Sequence, residues 1–237
     1  MSTQLSFDIR LRDSAAFENF FPGANREAVS HLAAVASDNG PRWSSRTPVT
    51  YLWGGHGTGK THLLQAACRA AQQAGQTALY IPLDCAAKLS PRVLEDVGAA
   101  DLVCIDDLQC IAGLADWETA LFNVCEHCRA SVAALLVTAS ARPADAGLRM
   151  PDLATRLGWG LVYPLHALND DEKVAAVRLR ARNRGFELSD AVARYVLNRY
   201  PRDMHALFSL LERMDQTSLA MQRQITIPFI RSLEAED

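Results

Sequence analysis

The sequence predicts an α/β protein in which a parallel five-stranded sheet is flanked by helices and followed by a small all-helical domain. Between residues 49 and 163, short apolar strands alternate with helical segments. Strands that are apolar throughout and separated by helices are typical of a parallel sheet covered on both faces. After Asn169 helical segments follow one another, and only the segment around Ile225 approaches a strand pattern.

Apolar periodicity and end signals assign the elements in chain order. Asn39-Gly40-Pro41 ends the first helix, and Gly75 ends the second. Asn169 and Ser189 are predicted to cap helices. The predicted strands are 49–53, 77–83, 102–105, 133–138 and 161–163. The predicted helices are 25–37, 60–74, 91–97, 117–130, 170–184, 189–198, 202–221 and 227–233.

The amino-acid composition excludes several classes of protein. The 237 residues are 49% hydrophobic and 22% charged, with a mean hydropathy of −0.04. These values lie near the globular average, which excludes wholesale disorder and collagen-like structure. No apolar run approaches the roughly 18–20 residues of a membrane-spanning helix, so no membrane partner is expected. The N-terminus lacks a basic stretch followed by an apolar one, so we expect no secretory signal and a cytoplasmic location.

The charge balance bears on nucleic-acid binding. The formal net charge is −3, from 24 Lys+Arg against 27 Asp+Glu, which argues against holding duplex DNA by bulk electrostatics. Binding through a local basic patch is kept as an alternative, because the segment 173–184 carries five basic residues and no acidic one. At about 100° per residue its arginines form two pairs on opposite sides. This favours a solvated helix with interdomain ion pairs over a nucleic-acid contact.

The six cysteines do not predict a disulfide framework, because a chain of this length builds a sufficient core and the cytosol is reducing. Cys125-Glu-His-Cys128 has the CxxC spacing, but a closed zinc site usually needs a second pair. In the predicted helix these two cysteines share a face. Buried structural cysteines are the favoured interpretation, and metal or redox chemistry is the alternative.

The segment GGHGTGKT, residues 54–61, matches the phosphate-binding motif G-x-x-x-x-G-K-[ST] and lies between a predicted strand and a predicted helix. The glycines let successive backbone N–H groups converge on an anion, and the helix turns its positive end toward it. Lys60 is expected to reach the β/γ oxygens, and the Thr61 hydroxyl to bind Mg²⁺. The predicted nucleotide-contacting residues here are Gly54, Gly55, His56, Gly57, Thr58, Gly59, Lys60, Thr61 and His62. A chance match in a glycine-rich turn is the alternative.

Acidic and hydroxyl side chains end two other predicted strands. Asp106 and Asp107 follow the strand that begins at Leu102. Asp106 is predicted to hold Mg²⁺, and Asp107 to polarise the attacking water. Thr138 and Ser140 end the next strand, where one polar side chain can face the γ-phosphate. The alternatives are solvated loop carboxylates and ordinary turn residues.

At this point the sequence resembles a known family. The segments GGHGTGKTHLLQAA, LVCIDDLQCIAG and MPDLATRLGWG resemble the initiator-clade AAA+ ATPases, the clade of DnaA. The segment from Leu179 to Asp215 resembles the helical lid of the same clade. This resemblance implies an AAA+ P-loop NTPase fold with an all-α lid, and ADP or ATP with Mg²⁺ as cofactors.

The resemblance also implies roles for individual residues. Arg156 matches the arginine finger, which acts on nucleotide held by a neighbouring protein, and Arg202 matches the lid arginine called sensor 2. Phe21-Pro22-Gly23 matches the segment near the base. The sensor 1 region, Thr138-Ala-Ser-Ala-Arg-Pro143, lacks the Asp-Arg pair usual after the threonine, which leaves open whether Ser140 acts as the sensor.

The N- and C-terminal segments of the sequence suggest a more specific resemblance. DnaA continues past its lid into a DNA-binding domain, and because this sequence ends at Asp237 we expect it to lack that domain. The N-terminal residues Gln4, Leu5, Ser6 and Phe7 resemble the peptide by which the Hda family, regulatory inactivators of DnaA, binds the DNA polymerase III sliding clamp. DnaA and this clamp are therefore the expected partners. DNA contact is expected to be mainly indirect through the clamp, and homo-oligomerisation stays open.

These inferences predict three parts: a flexible tail over 1–15, an AAA+ α/β domain over 16–165 and a helical lid over 166–237. The resemblance implies a negative regulator of replication initiation that promotes hydrolysis of DnaA-bound ATP, with its own ATPase weak or absent. The first alternative is a DnaC-like helicase loader that acts by its own ATP turnover on single-stranded DNA. The second is a truncated DnaA-like filament module without clamp contact.

Overall fold

The computed structural model describes residues 15–37, 49–95, 97–131, 133–221 and 224–234. The predicted clamp-binding residues 4–7 lie outside this part of the chain. The protein divides into two compact units. The α/β unit comprises the chain up to Phe17 together with Asn25–His166, and the helical unit comprises Glu18–Ala24 and the chain from Ala167 onward.

The α/β unit contains one five-stranded parallel sheet with the strand order β2-β3-β4-β1-β5. The parallel five-stranded sheet predicted from the sequence is therefore confirmed. Its strands are β1 (Val49–Trp53), β2 (Ala78–Pro82), β3 (Leu102–Asp106), β4 (Ala134–Ala139) and β5 (Leu161–Pro164).

Burial explains why β3 and β4 are apolar except for Asp106 and Thr138 near their carboxyl ends. Every residue of β3 and β4 is buried, because helices cover both faces of the sheet. The edge strand β5 is only partly covered, and Leu161 remains exposed. Leu52 of β1 lies opposite Thr138, and Ile105 of β3 lies opposite Val137. The carboxyl ends of β1, β3 and β4 therefore meet at one edge of the sheet.

The helices of this unit are α1 (Arg26–Ala36), α2 (Lys60–Gln73), α3 (Ala115–Ser131) and α4 (Pro151–Gly158). The helix predicted over 91–97 is only a 3₁₀ turn over Pro91–Leu94, capped by the Ser90 side chain. Leu94 and Val97 are both buried in the core. Arg156 lies within α4, a helix that was not among the predicted ones.

The helical unit contains α5 (Asp170–Asn183), α6 (Asp190–Arg199), α7 (Met204–Met221) and α8 (Ile227–Glu234). Both predicted caps are confirmed: Asn169 forms a capping box with Glu172, and the Ser189 hydroxyl accepts from Val192 N. The helix expected to begin at Arg202 begins two residues later, because the Asp203 carboxylate accepts a hydrogen bond from Ala206 N at 3.0 Å.

The basic segment of α5 differs from its predicted role. Arg180 is buried rather than solvated, with its guanidinium 5.3 Å from the centre of the Phe208 ring. Arg178 pairs with Asp190, and Arg184 pairs with acidic residues of α7. These ion pairs join helices of the helical unit to one another, so they do not support the predicted interdomain pairing.

Among the residues that the structure describes, no helix combines the length and the apolar character needed to cross a bilayer.

Candidate functional site

The loop over residues 54–59 connects β1 to α2 and requires glycine at several positions. Gly57 and Gly59 have φ angles of +75° and +92°, in the left-handed region that favours glycine. Gly54 N donates to Ala139 O at 3.2 Å, and a Cβ on Gly54 would lie 2.6 Å from Leu165 O. The loop therefore packs closely against the ends of its two neighbouring strands, which holds its backbone in one shape.

Lys60 begins α2 directly after this loop. Its Nζ donates to the carbonyls of Gly54 and Gly55, both at 2.8 Å. Burial lowers the pKa of Lys60, and the nearby carboxylates of Asp107 and Asp106 raise it. The predicted lysine and both predicted carboxylates are thus brought together at one edge of the sheet.

The remaining loop residues differ in exposure. Gly55, His56 and Gly57 are exposed, and a Cβ on Gly55 would meet nothing within 4 Å. The Thr58 side chain is turned inward, because its hydroxyl donates to Gly55 O at 3.0 Å. The exposed backbone therefore faces open space beside the positive end of α2, which is the arrangement that receives phosphate groups.

Asp106 is only 2% exposed, and its carboxylate accepts hydrogen bonds from hydroxyl groups. Tyr80 Oη donates to its Oδ2 at 2.7 Å, and Thr138 Oγ1 donates to its Oδ1. Burial raises the pKa of Asp106, and the hydroxyls of Thr138, Tyr80 and Thr61 lower it. Thr61 and Asp106, the two predicted magnesium ligands, therefore lie close together. Tyr80 was missed, because a tyrosine inside an apolar strand looks like a core residue.

Asp107 adopts the left-handed region, with a φ of +61°. Its backbone N donates to Thr138 Oγ1 at 2.9 Å, and its Oδ1 accepts from Gln109 Nε2 at 2.8 Å. The Oε1 atom of Gln109 accepts in turn from Ser140 N at 3.0 Å. Gln109 thus links the carboxylate predicted to act on water to the end of β4. Sequence reasoning missed it, because a glutamine in a loop carries no motif signal.

Thr138 and Ser140 have different environments at the end of β4. Thr138 is completely buried and bridges Asp106 and the Asp107 backbone, so its hydroxyl is occupied inside the protein. Ser140 is exposed, and its backbone N, rather than its hydroxyl, donates to Gln109 Oε1. The role of Ser140 as a sensor stays a prediction.

Arg156 makes its contacts with α3 and with the end of its own helix. Its Nε lies 3.1 Å from Glu126 Oε1. Its guanidinium lies 4.3 Å from the centre of the Trp159 ring and 5.8 Å from that of Phe122. Sequence reasoning connected none of these three partners with Arg156.

The remaining predicted residues are placed as follows. His62 is on α2, and its Nε2 lies 3.0 Å from Ala16 O, which ties the helix to the N-terminal segment. Phe21 and Pro22 belong to the helical unit and are half-buried. Arg202 belongs to the same unit, where its Nη1 lies 2.8 Å from Asp170 Oδ2. Their predicted contact with a nucleotide stays a prediction.

The cysteines of the CxxC segment are structural. Cys125 and Cys128 lie in α3 and are buried in the core of the α/β unit. Burial raises the pKa of both thiols to about 12, so neither is a reactive thiolate at neutral pH. Within the described residues, no group of three metal-capable side chains was found.

Comparison with protein families gives two matches along the chain. Residues 11–85 match the bacterial DnaA ATPase domain, and residues 170–233 match the lid domain of Hda. The chain is an Hda/DnaA-like AAA+ protein. The two matched ranges contain the phosphate-binding loop with Lys60 and the lid helices α5–α7, so this AAA+ protein has its family signals in both units.

Solved structures agree with this AAA+ fold. Domain III of the Thermotoga maritima replication initiation protein DnaA matches with a TM-score of 0.74 at 20% identity, over 96% of this chain and 98% of that one. AMPPCP-bound DnaA from Aquifex aeolicus matches with a TM-score of 0.70 at 22% identity, over 85% of this chain. A replication initiator DnaA bound to AMPPCP and single-stranded DNA matches with a TM-score of 0.69 at 20% identity, over 88% of this chain. The protein spans 66% and 65% of the length of these last two chains.

Proposed function

We propose that this AAA+ protein is a negative regulator of replication initiation. It binds adenine nucleotide at the loop over 54–61 and promotes hydrolysis of ATP held by DnaA. The observation that carries the proposal is the presence, in one chain, of the loop–Lys60–Asp106 arrangement and a lid that matches the lid of Hda. The AMPPCP bound by two structurally similar DnaA proteins also supports adenine nucleotide binding.

The residues of the α/β unit fit a nucleotide with Mg²⁺. The exposed backbone of residues 55–57 would surround the phosphates, and Lys60 would supply the positive charge. The Thr61 hydroxyl and the Asp106 carboxylate are oxygen donors, which Mg²⁺ prefers. Bound Mg²⁺ would neutralise charge on the phosphates. Burial raises the pKa of Asp106, and a cation beside it would oppose this effect by favouring the ionised form.

Arg156 would act on a nucleotide held by DnaA rather than by this chain. A guanidinium presented to a γ-phosphate stabilises the charge that develops as the phosphate leaves, which is worth several orders of magnitude in rate in such enzymes. DnaA left with ADP would not restart replication. Residues 4–7 would bring the protein to sliding clamps loaded on DNA, where this encounter takes place.

The decisive experiment measures hydrolysis of DnaA-bound ATP in the presence of sliding clamp loaded on DNA. We expect Arg156→Ala to lose the stimulation seen with the parent protein. Arg142→Ala is the matched control, because Arg142 is an exposed arginine of the same unit and forms an ion pair with Asp145. Equal stimulation by parent and Arg156→Ala would refute the arginine-finger role.

A second experiment tests the clamp contact. Removal of residues 1–9 should abolish capture by the sliding clamp while ADP binding is retained. Loss of both properties would mean that the tail is needed for the fold, and clamp capture by the shortened chain would contradict the assignment of residues 4–7. ATP hydrolysis by the isolated protein that single-stranded DNA stimulates and the clamp does not affect would favour a helicase loader instead.

A further inference from the structure

Arg156 is held by two groups of different chemistry. The Glu126 carboxylate lies 3.1 Å from its Nε, and the Trp159 ring lies 4.3 Å from its guanidinium carbon. Only about a quarter of the Arg156 side chain is exposed, at 24%. The carboxylate is an anion that competes with any phosphate for the guanidinium, whereas the ring is neutral and orients the cation.

The surface around Arg156 is suited to contact with another protein. Trp159 is 55% exposed, and Leu161, two residues later on the edge strand β5, is also exposed. Large exposed apolar side chains next to an arginine are enriched at protein interfaces, where tryptophan and arginine often dominate binding. A partner that covers Trp159 would therefore meet Arg156 at the same time.

Glu126 retains a partner when Arg156 leaves. Its Oε2 lies 2.7 Å from Arg129 Nη2, three residues later on α3, while its Oε1 faces Arg156. Arg129 donates a hydrogen bond to Oε2, whereas Oε1 is buried and has no hydrogen-bond partner among the described residues, so its contact with Arg156 is an ion pair alone. Because the Arg129 pair is formed by the other oxygen, departure of Arg156 does not leave the Glu126 carboxylate without a counter-charge.

We propose that Glu126 is an internal competitor that occupies the Arg156 guanidinium until an anion on a partner protein replaces it. This inference rests on the proposed function, in which that anion is the γ-phosphate of ATP held by DnaA. Glu126 acts through Arg156 and touches no reacting atom, so it is a positioning residue. Trp159 keeps the released guanidinium at the interface, while Arg129 keeps the Glu126 carboxylate in place.

The test compares Glu126→Gln with the parent in the assay of DnaA-bound ATP hydrolysis, at concentrations below saturation. Glutamine keeps the shape of the side chain and removes the charge. We expect the initial rate to rise about two- to fivefold. Loss of a partly exposed ion pair changes an equilibrium constant by about this factor, here the one between Arg156 bound to Glu126 and Arg156 released. Asp145→Asn is the matched control, since it removes the acid of another arginine pair in the same unit and should leave the rate unchanged.

Two further measurements separate competition from a structural effect. In the Arg156→Ala background, Glu126→Gln should give no gain, because the coupling requires both residues. Between about 50 and 250 mM salt, the advantage of Glu126→Gln over the parent should shrink, because salt screens the pair. A thermal unfolding midpoint equal to that of the parent establishes that Glu126→Gln is folded.

The outcomes distinguish this inference from the function on which it rests. If Arg156→Ala loses stimulation but Glu126→Gln equals the parent or falls below it, Glu126 does not compete and only this inference is overturned. If Glu126→Gln gains equally with and without Arg156, the effect is structural and the inference is also overturned. If Arg156→Ala stimulates as well as the parent, both proposals fail together.

Discussion

The backbone of Asp107 lies in the left-handed region, which few non-glycine residues adopt. A non-glycine residue in the left-handed region carries a cost of about 1–2 kcal/mol. Here the cost is offset by local hydrogen bonds: the backbone N donates to Thr138, and the carboxylate accepts from Gln109. Strained residues held in this way cluster at functional sites, and the role of Asp107 in polarising the attacking water stays a prediction.

His31 provides a pH-dependent prediction at the residue scale. Its Nε2 lies 2.9 Å from the buried Thr50 hydroxyl, and its ring lies 5.5 Å from that of Tyr163. Burial lowers the pKa of His31 below its ordinary value of 6.5, and Glu27 partly opposes this. The unfolded chain therefore binds the proton more readily, and the free energy of unfolding should fall as the pH decreases through about 6.5.

We expect His31→Gln to flatten this pH dependence, because glutamine retains a hydrogen-bonding group and does not titrate. Urea unfolding of both proteins between pH 5 and pH 8 measures it. His205→Gln is the control, since His205 is exposed in the helical unit and should leave the slope unchanged. If His31→Gln left the slope of the free energy of unfolding against pH unaltered, His31 would be excluded as the source of the pH dependence.

At the scale of elements, Glu118 fixes the chain that leads into α4. It is 1% exposed, and its carboxylate accepts from the backbone N–H groups of Gly113, Arg149 and Met150 at 2.7, 3.0 and 2.7 Å. These bonds connect the first turn of α3 to the segment directly before Pro151, the first residue of α4. Arg156 is carried by α4, so its position depends on this buried carboxylate.

Replacement of Glu118 by glutamine should lower the free energy of unfolding by about 2–3 kcal/mol, since hydrogen bonds to a charged acceptor are lost and an amide N–H₂ faces a backbone donor. Chemical denaturation measures the loss. Glu95→Gln serves as control, because Glu95 is exposed in the same unit and its replacement should change stability by less than about 0.5 kcal/mol. If Glu118→Gln changed the free energy of unfolding as little as Glu95→Gln, the role of Glu118 in fixing the segment before α4 would be contradicted.

The start of α5 offers a second prediction for an element. Asn169 Oδ1 accepts from Glu172 N at 2.9 Å, while Glu172 Oε2 accepts from Asn169 N at 2.8 Å. Asn169→Ala removes one half of this capping box and should cost about 1 kcal/mol in the stability of the helical unit. Hydrogen exchange of the α5 amides would detect it. Arg182→Ala, an exposed change in the same helix, should leave the protection unaltered.

At the scale of the whole molecule, nucleotide binding should stabilise the protein by mass action. ADP with Mg²⁺ at about 100 times its Kd adds about 2.7 kcal/mol. For a protein of this size, each kcal/mol raises Tm by about 2–4 °C. We expect this shift in the parent and in Lys88→Ala, whose lysine is exposed and outside the loop. Lys60→Ala should lose most of it in calorimetry, and an equal shift in Lys60→Ala would place the nucleotide elsewhere.

The sequence by itself determined the sheet, the phosphate-binding loop and the lid helices. These features depend on local signals: apolar strands, a strand–loop–helix motif with fixed spacing, and helix caps at Asn169 and Ser189. Asp106 was found for the same reason, since it directly follows a buried strand. Local signals of this kind lie in consecutive residues, so a single sequence is enough to recognise them.

Only the tertiary structure decided which side chains support that site. Tyr80 and Gln109 contact residues 26 and 31 positions away, and the strand order β2-β3-β4-β1-β5 creates these neighbours. Glu118 of α3 contacts backbone groups 31 and 32 positions away, in the segment that leads into α4. The contacts of Arg156 with Glu126 and Phe122 arise in the same way, because α3 and α4 are brought side by side. Polar residues outside a motif show no local sequence pattern, because packing between distant segments determines their partners.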